Sequence, residues 1–338
     1  MGQMVTQADV ARAAGVSRGL VSLALNGSPS VASSTRERIL ATAEQLGYRP
    51  NATAASLASG RSGLIGLLLP DLRNPFFDFV AHALQEAVAQ RGMTLLVTVG
   101  AGARASRRPV DALLALRVEG LVLVSPALSD EELRGLGEAC PVCLIGRCGP
   151  GGRVDTIRLD ERAAAEAVIS HLVRAGAGRL VYVCPDPEED PNATERGQAL
   201  AAAARQRGLR LDTVVDDVSG VPGLREQLVL AGAPGVVAHN DIVALDALSV
   251  IRSSGRGGPS GVAPLVSYDD TYLASREEFS LTSVEQPVGT MARDAVRFVC
   301  ERSGREGDGE VGGARNVTVA PVLAVRRSSS PGAGPSGA

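Results

Sequence analysis

From residue 64 onward, short apolar runs alternate with amphipathic helical patterns, and this alternation restricts the fold more than any other feature of the chain. A strand that returns to the same sheet through a helix forms a βαβ unit, which makes neighbouring strands parallel. The pattern therefore predicts parallel sheets covered by helices, for example at 77–90, 161–175 and 242–253. The predicted strands are 64–69, 94–99, 120–125, 142–146, 179–184, 235–239 and 264–268.

The length of 338 residues is more than one ordinary hydrophobic core supports, so we expect a small N-terminal module followed by two α/β lobes. No apolar run approaches the ~20 residues that span a bilayer, and the first residues lack the pattern of a secretory signal. We therefore expect a cytoplasmic protein with no membrane partner.

Five cysteines are an odd number, and without a secretory signal they are expected to be reduced. Cys140, Cys143 and Cys148 lie close enough in sequence to suggest a metal site. No second cysteine pair and no histidine follows at zinc-finger spacing, and Cys143 falls in an apolar run. The expectation is buried structural thiols and no metal.

The N-terminal module is basic and has the spacing of a helix-turn-helix. Residues 1–61 contain six arginines and three acidic residues, whereas the whole chain carries a net charge of −3, which is typical of a local phosphate-binding surface. Thr6 and Asp9 predict a capping box at the start of the first helix, and Gly15 fits the turn. The second and third helices are predicted at 18–25 and about 34–46. The spacing alone also fits an ordinary helical hairpin.

Two longer segments, VTQADVARAAGVSRGLVSLALNG (5–27) and VASSTRERILATAEQLGYRPNATAASLASG (31–60), closely resemble the headpiece and hinge of the LacI/GalR family of bacterial transcription regulators. The resemblance is dense over residues 5–66 and continues more loosely to about Ser329, with markers such as LPDLRNPFF, HNDIVALDAL and TSVEQPV. It implies a sequence-specific transcription regulator, by family default a repressor, that binds a near-palindromic DNA operator as a homodimer.

By this resemblance, residues 1–50 form the DNA-binding headpiece, and Arg18, Gly19 and Leu23 face base edges in the major groove. Arg18 could bind guanine through two hydrogen bonds, whereas Gly19 has no side chain and Leu23 offers only apolar contact. Ala32 stands where the family usually has a serine that caps the third helix, and Ser33 could take that role. The remaining headpiece positions assigned to DNA are Thr6, Ser17, Ser22, Asn26, Arg36 and Tyr48.

Residues 51–62 match the family's hinge helix, which is too short to be stable alone and, in the family, folds when two subunits pair over DNA. Leu57 matches the residue that wedges into the minor groove and kinks the operator. The alternative is a passive tether with an incidental leucine. The hinge positions assigned to DNA are Asn51, Ala54, Leu57 and Ala58.

For residues 63–327 the resemblance implies an α/β body like the periplasmic binding proteins, with two doubly wound parallel-sheet lobes. We place the first lobe at about 63–158 and 288–315, the second at about 159–287 and 316–327, and a disordered tail at 328–338. A small polar effector, a sugar or a related metabolite, would lie between the lobes at the carboxyl ends of the strands. The effector-lining positions are Asp71, Asn74, Phe76, Phe77, Arg147, Arg196, Asn240, Asp269 and Gln286.

Two other functional classes are less consistent with the sequence. Residues 100–105 approximate a dinucleotide-binding fingerprint, but Pro109 and the preceding arginines favour a loop there, and no acidic residue follows at the required distance. We therefore expect neither an enzyme nor a cofactor, and assign no catalytic residue. A sugar-binding transport protein would fit the body alone, but the basic N-terminal module and the missing secretory signal argue against it.

Overall fold

The computed structural model describes residues 5–25, 27–48, 61–100, 107–187, 190–215, 235–254, 263–306 and 312–330. The chain divides into two compact units, Met1–Ser62 and Gly63–Ala338, which we call the headpiece and the body. The headpiece has its own apolar core, separate from the clusters that form the core of the body.

The described residues of the headpiece form three helices, α1 (Gln7–Ala14), α2 (Arg18–Leu25) and α3 (Ser33–Gln45). Each contributes one completely buried apolar side chain to the common core, and these are Val10, Val21 and Ile39. The helices are individually short, so this shared burial rather than helix propensity stabilises them.

Local signals at the starts of the headpiece helices agree with the sequence in two of three cases. The capping box of Thr6 and Asp9 begins α1, and Gly15 ends it with a left-handed φ of 65°. The backbone N–H of Leu20 donates to Oγ of Ser17 (3.2 Å), which caps α2 as predicted. The expectation for Ser33 is wrong, because it is the first residue of α3, and Ala32 at the N-cap offers no side-chain acceptor.

The first lobe of the body is a parallel six-stranded sheet. Its strands are β1 (Leu64–Leu69), β2 (Thr94–Val99), β3 (Gly120–Val124), β4 (Val142–Ile145), β5 (Val154–Leu159) and β11 (Asn316–Val319), and its helices are α4 (Pro75–Ala89), α5 (Arg107–Ala115), α6 (Asp130–Ala139) and α11 (Val288–Arg302). The strand order is β11-β5-β4-β3-β1-β2, so β2 forms one edge.

The second lobe repeats this architecture. Its strands are β6 (Leu180–Cys184), β7 (Leu211–Val215), β8 (Gly235–Ala238), β9 (Leu265–Asp269), β10 (Thr282–Glu285) and β12 (Val322–Ala324), and the helices among its described residues are α7 (Glu161–Arg174), α8 (Pro191–Gln206), α9 (Asp241–Ser254) and α10 (Tyr272–Ser275). The order is β12-β10-β9-β8-β6-β7, and among the described pairings only that of β12 is antiparallel. The predicted body of two parallel-sheet α/β lobes is confirmed.

The chain crosses between the lobes three times, and one predicted crossing is misplaced. β5 leads into α7 and β10 leads into α11, as expected for crossings near 159 and 287. Residues 316–319 were assigned to the second lobe, but they form β11, which pairs with β5 of the first sheet. The third crossing therefore lies between Val319 and Val322.

The apolar pattern of the sequence did not predict β5, because this strand contains charged residues. Asp155 is completely buried in this strand and accepts from Nε of Arg302 (2.6 Å) and Nη2 of Arg315 (2.7 Å). A carboxylate tolerates such burial only when it is paired and hydrogen-bonded. This pairing joins β5 to the end of α11 and to the segment before β11.

Two expected loops have regular or ordered structure. Pro109 lies in the first turn of α5, where its missing N–H is not needed, so the loop predicted there is wrong. Ser328–Ser330 were assigned to the tail, but the N–H of Leu265 donates to the carbonyl of Ser328 (2.8 Å), and the buried Ser329 hydroxyl bonds His171 Nε2 (2.7 Å). Residues 331–338 lie outside the described residues.

Candidate functional site

The predicted DNA-reading surface lies on and immediately before α2. Arg18, Gly19 and Leu23 are exposed, and the side chain of Leu23 reaches 44% exposure. Ser17 is exposed as well, and Ser22 is half-buried. The other face of α2 is buried in the headpiece core, so the helix presents outward the residues assigned to DNA; the DNA contacts themselves stay predictions.

The other headpiece positions divide between capping, packing and undescribed residues. The guanidinium of Arg36 donates to the carbonyl of Ser28, which ties α3 to the loop after α2. Tyr48 packs against the headpiece core, and Thr6 caps α1. A phosphate contact by Arg36 stays a prediction. The assigned positions outside the described residues are Asn26, Asn51, Ala54, Leu57 and Ala58.

In the body, the Asp269 carboxylate joins the two lobes. It lies at the carboxyl end of β9 with a left-handed φ of 96°, a conformation rarely adopted by residues other than glycine. Asn74, the N-cap of α4 in the first lobe, donates through Nδ2 to Oδ2 of Asp269 (2.9 Å). Gln286, in the crossing before α11, donates through Nε2 to Oδ1 (2.8 Å). Three of the predicted effector residues therefore meet at one point, and strained backbone is common at such sites.

Arg196 is a charged side chain of the interlobe region that is almost completely buried, at 1% exposure. Its Nε lies 3.2 Å from both carboxylate oxygens of Glu161, and its Nη2 donates to Oε1 of Glu161 (2.8 Å). Its Nη1 donates to the carbonyl of His239 (2.5 Å), and its guanidinium stacks 3.9 Å from the ring centroid of Tyr268. Burial opposes the charge of Arg196, but Glu161 outweighs burial and raises the pKa of Arg196.

A second buried network begins at His239. Its Nε2 lies 3.1 Å from a carboxylate oxygen of Asp190, and its Nδ1 lies 2.7 Å from the hydroxyl of Tyr182. Burial raises the pKa of Asp190, but the contacts with His239 and with the backbone N–H of Asn192, together with the charge of Arg196, outweigh burial and give a net lowering. The neighbouring Asn240 accepts from the N–H of Val243 (2.9 Å) and so caps the start of α9. A ligand contact by Asn240 stays a prediction.

Asp241 lies at the start of α9 and is completely buried. Its carboxylate accepts from the backbone N–H (2.7 Å) and the hydroxyl (2.8 Å) of Thr271, and from the Ser283 hydroxyl (3.0 Å). Burial and the charge of Asp269 raise the pKa of Asp241 to about 6 against these donors. Burial also raises the pKa of Asp269 itself. Asp241 therefore holds the backbone around Asp269 in place.

In the described contacts, the other four predicted effector residues form no hydrogen bond with the Asp269 carboxylate, and their effector contacts stay predictions. Asp71 accepts from the N–H groups of Arg73 (2.6 Å) and Asn74 (3.3 Å) and shapes the loop before α4. The guanidinium of Arg147 donates to carbonyls of the first lobe and pairs with Asp130 (3.1 Å). Phe76 is buried in the body core, whereas Phe77 lines a surface cavity of about 440 Å³ with Tyr272 of the second lobe.

Sequence reasoning missed the residues that neutralise or fix the predicted ones. Glu161, the partner of Arg196, begins α7, where an acidic residue is ordinary. Arg158 of β5 pairs with Glu195 of α8, and Cys148 Sγ lies 3.7 Å from the same carboxylate, so both link the lobes. No local pattern identifies such partners, because each contact joins residues at least 35 positions apart.

The cysteine prediction needs one correction. Cys143 is buried in β4, but Cys148 is exposed and Cys140 is only half-buried, so these two are not the buried thiols that were expected. Among the described residues, no three histidine, cysteine or acidic side chains form a group suited to a metal ion. The described part of the chain also contains no helix with the length and apolar character needed to cross a membrane.

Comparisons with known proteins cover both units. Residues 6–51 match the lacI family of bacterial regulatory proteins, and residues 169–329 match a periplasmic binding protein-like domain. The HTH-type transcriptional regulator GalR of Salmonella typhimurium is 31% identical over 310 residues, which cover 89% of this chain and 90% of GalR. MalR of Streptomyces coelicolor, also an HTH-type transcriptional regulator, is 30% identical over 315 residues, with 88% and 90% covered.

Two solved structures resemble the whole chain. The lac repressor dimer bound to operator and the anti-inducer ONPF matches with a TM-score of 0.81 at 24% identity, covering 97% of this chain and 99% of that chain. The complex of the transcriptional regulator CelR with cellobiose matches with a TM-score of 0.68 at 27% identity, covering 96% and 99%. The lac repressor likeness, at this identity, concerns the fold of a headpiece followed by two lobes.

The electrostatics of Asp241 and Asp269 predict how stability depends on pH. The pKa of Asp241 rises from 3.8 to about 6 on folding, so its contribution is complete below about pH 3.8 and is lost as pH rises through about 6. Full loss amounts to about 3 kcal/mol. Burial of Asp241 remains in Asp269→Asn, but this variant removes the Asp269 charge that further raises the pKa of Asp241, and it removes a second carboxyl whose pKa is raised. Urea unfolding between pH 4 and 7 should therefore show a smaller decrease of stability with pH than in the wild type.

Asp111→Asn provides the control, because Asp111 is an exposed partner of Arg107 on α5. This variant should retain the pH dependence of the wild type. Equal slopes for Asp269→Asn and the wild type would show that the two buried carboxyls do not interact in this way.

Proposed function

Because the chain belongs to the lacI family of bacterial regulatory proteins and is a DNA-binding transcriptional regulator, we propose that it is a dimeric repressor. It binds a near-palindromic operator and responds to a small polar effector, a sugar or a related metabolite, held between the lobes. One observation carries this proposal: an outward-facing helix-turn-helix surface precedes a two-lobed body whose lobes meet over Asp269, Asn74 and Gln286.

The DNA part of the proposal rests on α2. Its exposed Arg18 can form two parallel hydrogen bonds with a guanine, and its exposed Leu23 can pack on a thymine methyl group. The solved lac repressor relative is a dimer bound to operator. Two copies of one headpiece related by a two-fold axis read two inverted half-sites, so the operator is near-palindromic.

Arg18→Ala should weaken operator binding by about 1–3 kcal/mol and relax the preference at one base pair of each half-site. The operator is first obtained by selection from random DNA with the full-length protein. Fluorescence anisotropy on this operator and on its single-base variants, at fixed salt, measures both effects. Affinity of the wild type should also decrease steeply with salt, because bound phosphates release counterions.

Arg12→Ala is the matched control, since Arg12 is exposed on α1 and pairs with Asp9 (3.1 Å). It should leave base preference unchanged. An Arg18→Ala variant that weakens all sequences equally would mean that Arg18 contacts phosphate rather than a base.

The dimer part of the proposal rests on an apolar surface that both lobes share. Leu72 is 72% exposed, Val97 on the edge strand β2 is 50% exposed, and Tyr272 of α10 is 49% exposed. These residues, with Phe77, line the surface cavity of about 440 Å³. Exposed apolar residues gathered on one face indicate an interaction surface, and a second copy of the chain is the partner that a near-palindromic operator requires.

Val97→Glu should convert the dimer into a monomer at micromolar concentration, because it places a charge on this apolar surface. Analytical ultracentrifugation measures the assembly, and the affinity advantage of the full operator over a half-site should be lost at the same time. Val173→Glu on α7, an exposed apolar position outside this surface, should remain dimeric. A Val97→Glu variant that still sediments as a dimer would place the interface elsewhere.

The effector part of the proposal needs a physical connection from the effector site at Asp269 to Gly63, where the body begins. The N-termini of α4 and α11 lie beside Asp269, because Asn74 and Gln286, which precede these helices, both donate to its carboxylate. The two helices also pack against each other.

At the far ends of the two helices, Arg91 pairs with Glu306 (2.7 Å), and Arg305 donates to Glu119 (2.9 and 3.0 Å). Glu119 also accepts from the N–H of Gly63 (2.7 Å), the first residue of the body. A change at Asp269 can thus be transmitted over about 22 Å by two rigid helices.

Glu119→Gln should retain ligand affinity and lose most of the ligand's effect on operator affinity, because it weakens the contact with Arg305. Asp269→Ala should lose ligand binding and retain operator binding. A thermal-shift panel of mono- and disaccharides, including cellobiose, identifies the ligand, and operator titrations with and without it measure coupling of about 1–3 kcal/mol in the wild type.

Arg293→Met, an exposed change on α11, should keep the coupling of the wild type. If Glu119→Gln responds to ligand like the wild type, the connection through Arg305 and Gly63 is wrong. If Asp269→Ala still responds, the assigned effector site is wrong.

A further inference from the structure

The guanidinium of Arg196 has almost no remaining capacity to bind a ligand. Arginine carries five N–H donors. The N–H of Nε and one N–H of Nη2 are directed to Glu161 (3.2 and 2.8 Å), and one N–H of Nη1 is directed to the carbonyl of His239 (2.5 Å). In the side-chain orientation in which the amide nitrogen of Asn192 donates to the carbonyl of Gly146, its amide oxygen accepts from Nη2 of Arg196 (3.2 Å). One face of the guanidinium is covered by Tyr268.

The contact with Glu161 has the geometry in which arginine binds a carboxylate ligand. The carboxylate accepts from Nε and Nη2 along one edge of the guanidinium, which is the two-point arrangement that arginine forms with carboxylates and phosphates. Glu161 is 4% exposed and belongs to α7, which packs against the α8 helix that carries Arg196. An anion supplied by the chain itself therefore occupies the edge that an anionic ligand would use.

The remaining charges of the site are not favourable to an anion either. Asp269 receives two amide donors, from Asn74 and Gln286, but no cation bonds to its carboxylate among the described residues. Asp190 is also acidic and faces His239. Charges interact strongly in a buried site of low polarity, so Asp269 would repel a negatively charged ligand, and the charge of Arg196 that could attract one is already neutralised by Glu161.

We infer that Glu161 acts as an internal counter-ion of Arg196, so that the interlobe site accepts uncharged or cationic hydroxylated ligands and rejects carboxylates and phosphates. This inference rests on the proposed effector site for its ligand. It makes Glu161 a residue that determines ligand charge, and it leaves hydroxyl and ammonium donors as the groups that Asp269 can bind.

The first test needs no knowledge of the effector, because acetate has the shape of the missing carboxylate. In full-length Glu161→Ala, potassium acetate should raise the melting temperature saturably, compared with potassium chloride at the same ionic strength. Wild type should show no such difference, since Glu161 already fills the position. Glu161→Ala/Arg196→Met should not respond either, because the cation is removed as well.

Glu161→Gln provides a second variant in case Glu161→Ala folds poorly, since glutamine retains a neutral acceptor for Arg196. Inorganic phosphate is then the probe, with the same wild-type and Arg196→Met comparisons. A saturable response of the wild type to acetate or phosphate would overturn the inference. So would a Glu161 variant that responds no more than the wild type.

The second test compares three hexoses that differ in charge, namely D-galactose, D-galactosamine and D-galacturonate, by calorimetry. Glu161→Gln should bind galacturonate about tenfold or more tightly than wild type does, the size expected of one charged hydrogen bond. A wild-type protein that binds galacturonate more tightly than galactose would contradict the inference. If the wild type binds none of the three hexoses, the thermal-shift test with acetate decides. Operator binding is measured separately, so a failure to bind DNA would refute the proposed function without affecting the charge result.

Discussion

The organisation of the body depends on the hydrogen bonds that the Asp269 carboxylate accepts across the lobe boundary. One comes from Asn74 of the first lobe and one from Gln286 in a crossing segment, so a single side chain of the second lobe fixes both. The carboxyl end of β9 adopts a left-handed conformation at Asp269 and Asp270. Thr271 and Ser283, held by Asp241, keep this backbone in place. The strain is tolerated because several buried hydrogen bonds support it.

A large part of the fold could be predicted because its signals are local. Apolar runs such as LIGLLL and GLVLV form buried central strands, and Thr6, Gly15 and Ser17 determine helix ends by contacts within four residues. The same reasoning failed for β5 and for Ser328–Ser330, since Asp155 and Ser329 are buried polar residues whose partners are distant in sequence. A hydrophobic period of two or of 3.6 residues identifies strands and helices by their buried apolar residues, so it does not detect buried polar ones.

The candidate site was predictable to a different degree. Resemblance to a family identified Asp269, Asn74 and Gln286, which the fold does bring together. It also identified Arg147 and Asp71, whose described hydrogen bonds go to neighbouring residues of the chain itself. Whether a polar residue faces a ligand or its own neighbours depends on which partners surround it, and Glu161 shows that one acidic residue can satisfy an arginine that the family pattern assigns to a ligand.

The contacts between the lobes also indicate why a small ligand can control them. The described polar contacts across the boundary are few, chiefly Asn74 with Asp269 and Arg158 with Glu195, and a typical hydrogen bond contributes about 1 kcal/mol net. A ligand that replaces one amide donor at Asp269 changes the free-energy difference between lobe arrangements by a similar amount. Allosteric coupling in proteins amounts to about 1–3 kcal/mol, so exchange of one or two of these contacts is sufficient. Because α4 and α11 begin at the two donors, such an exchange acts directly on the helices whose far ends hold Glu119 and the first residue of the body.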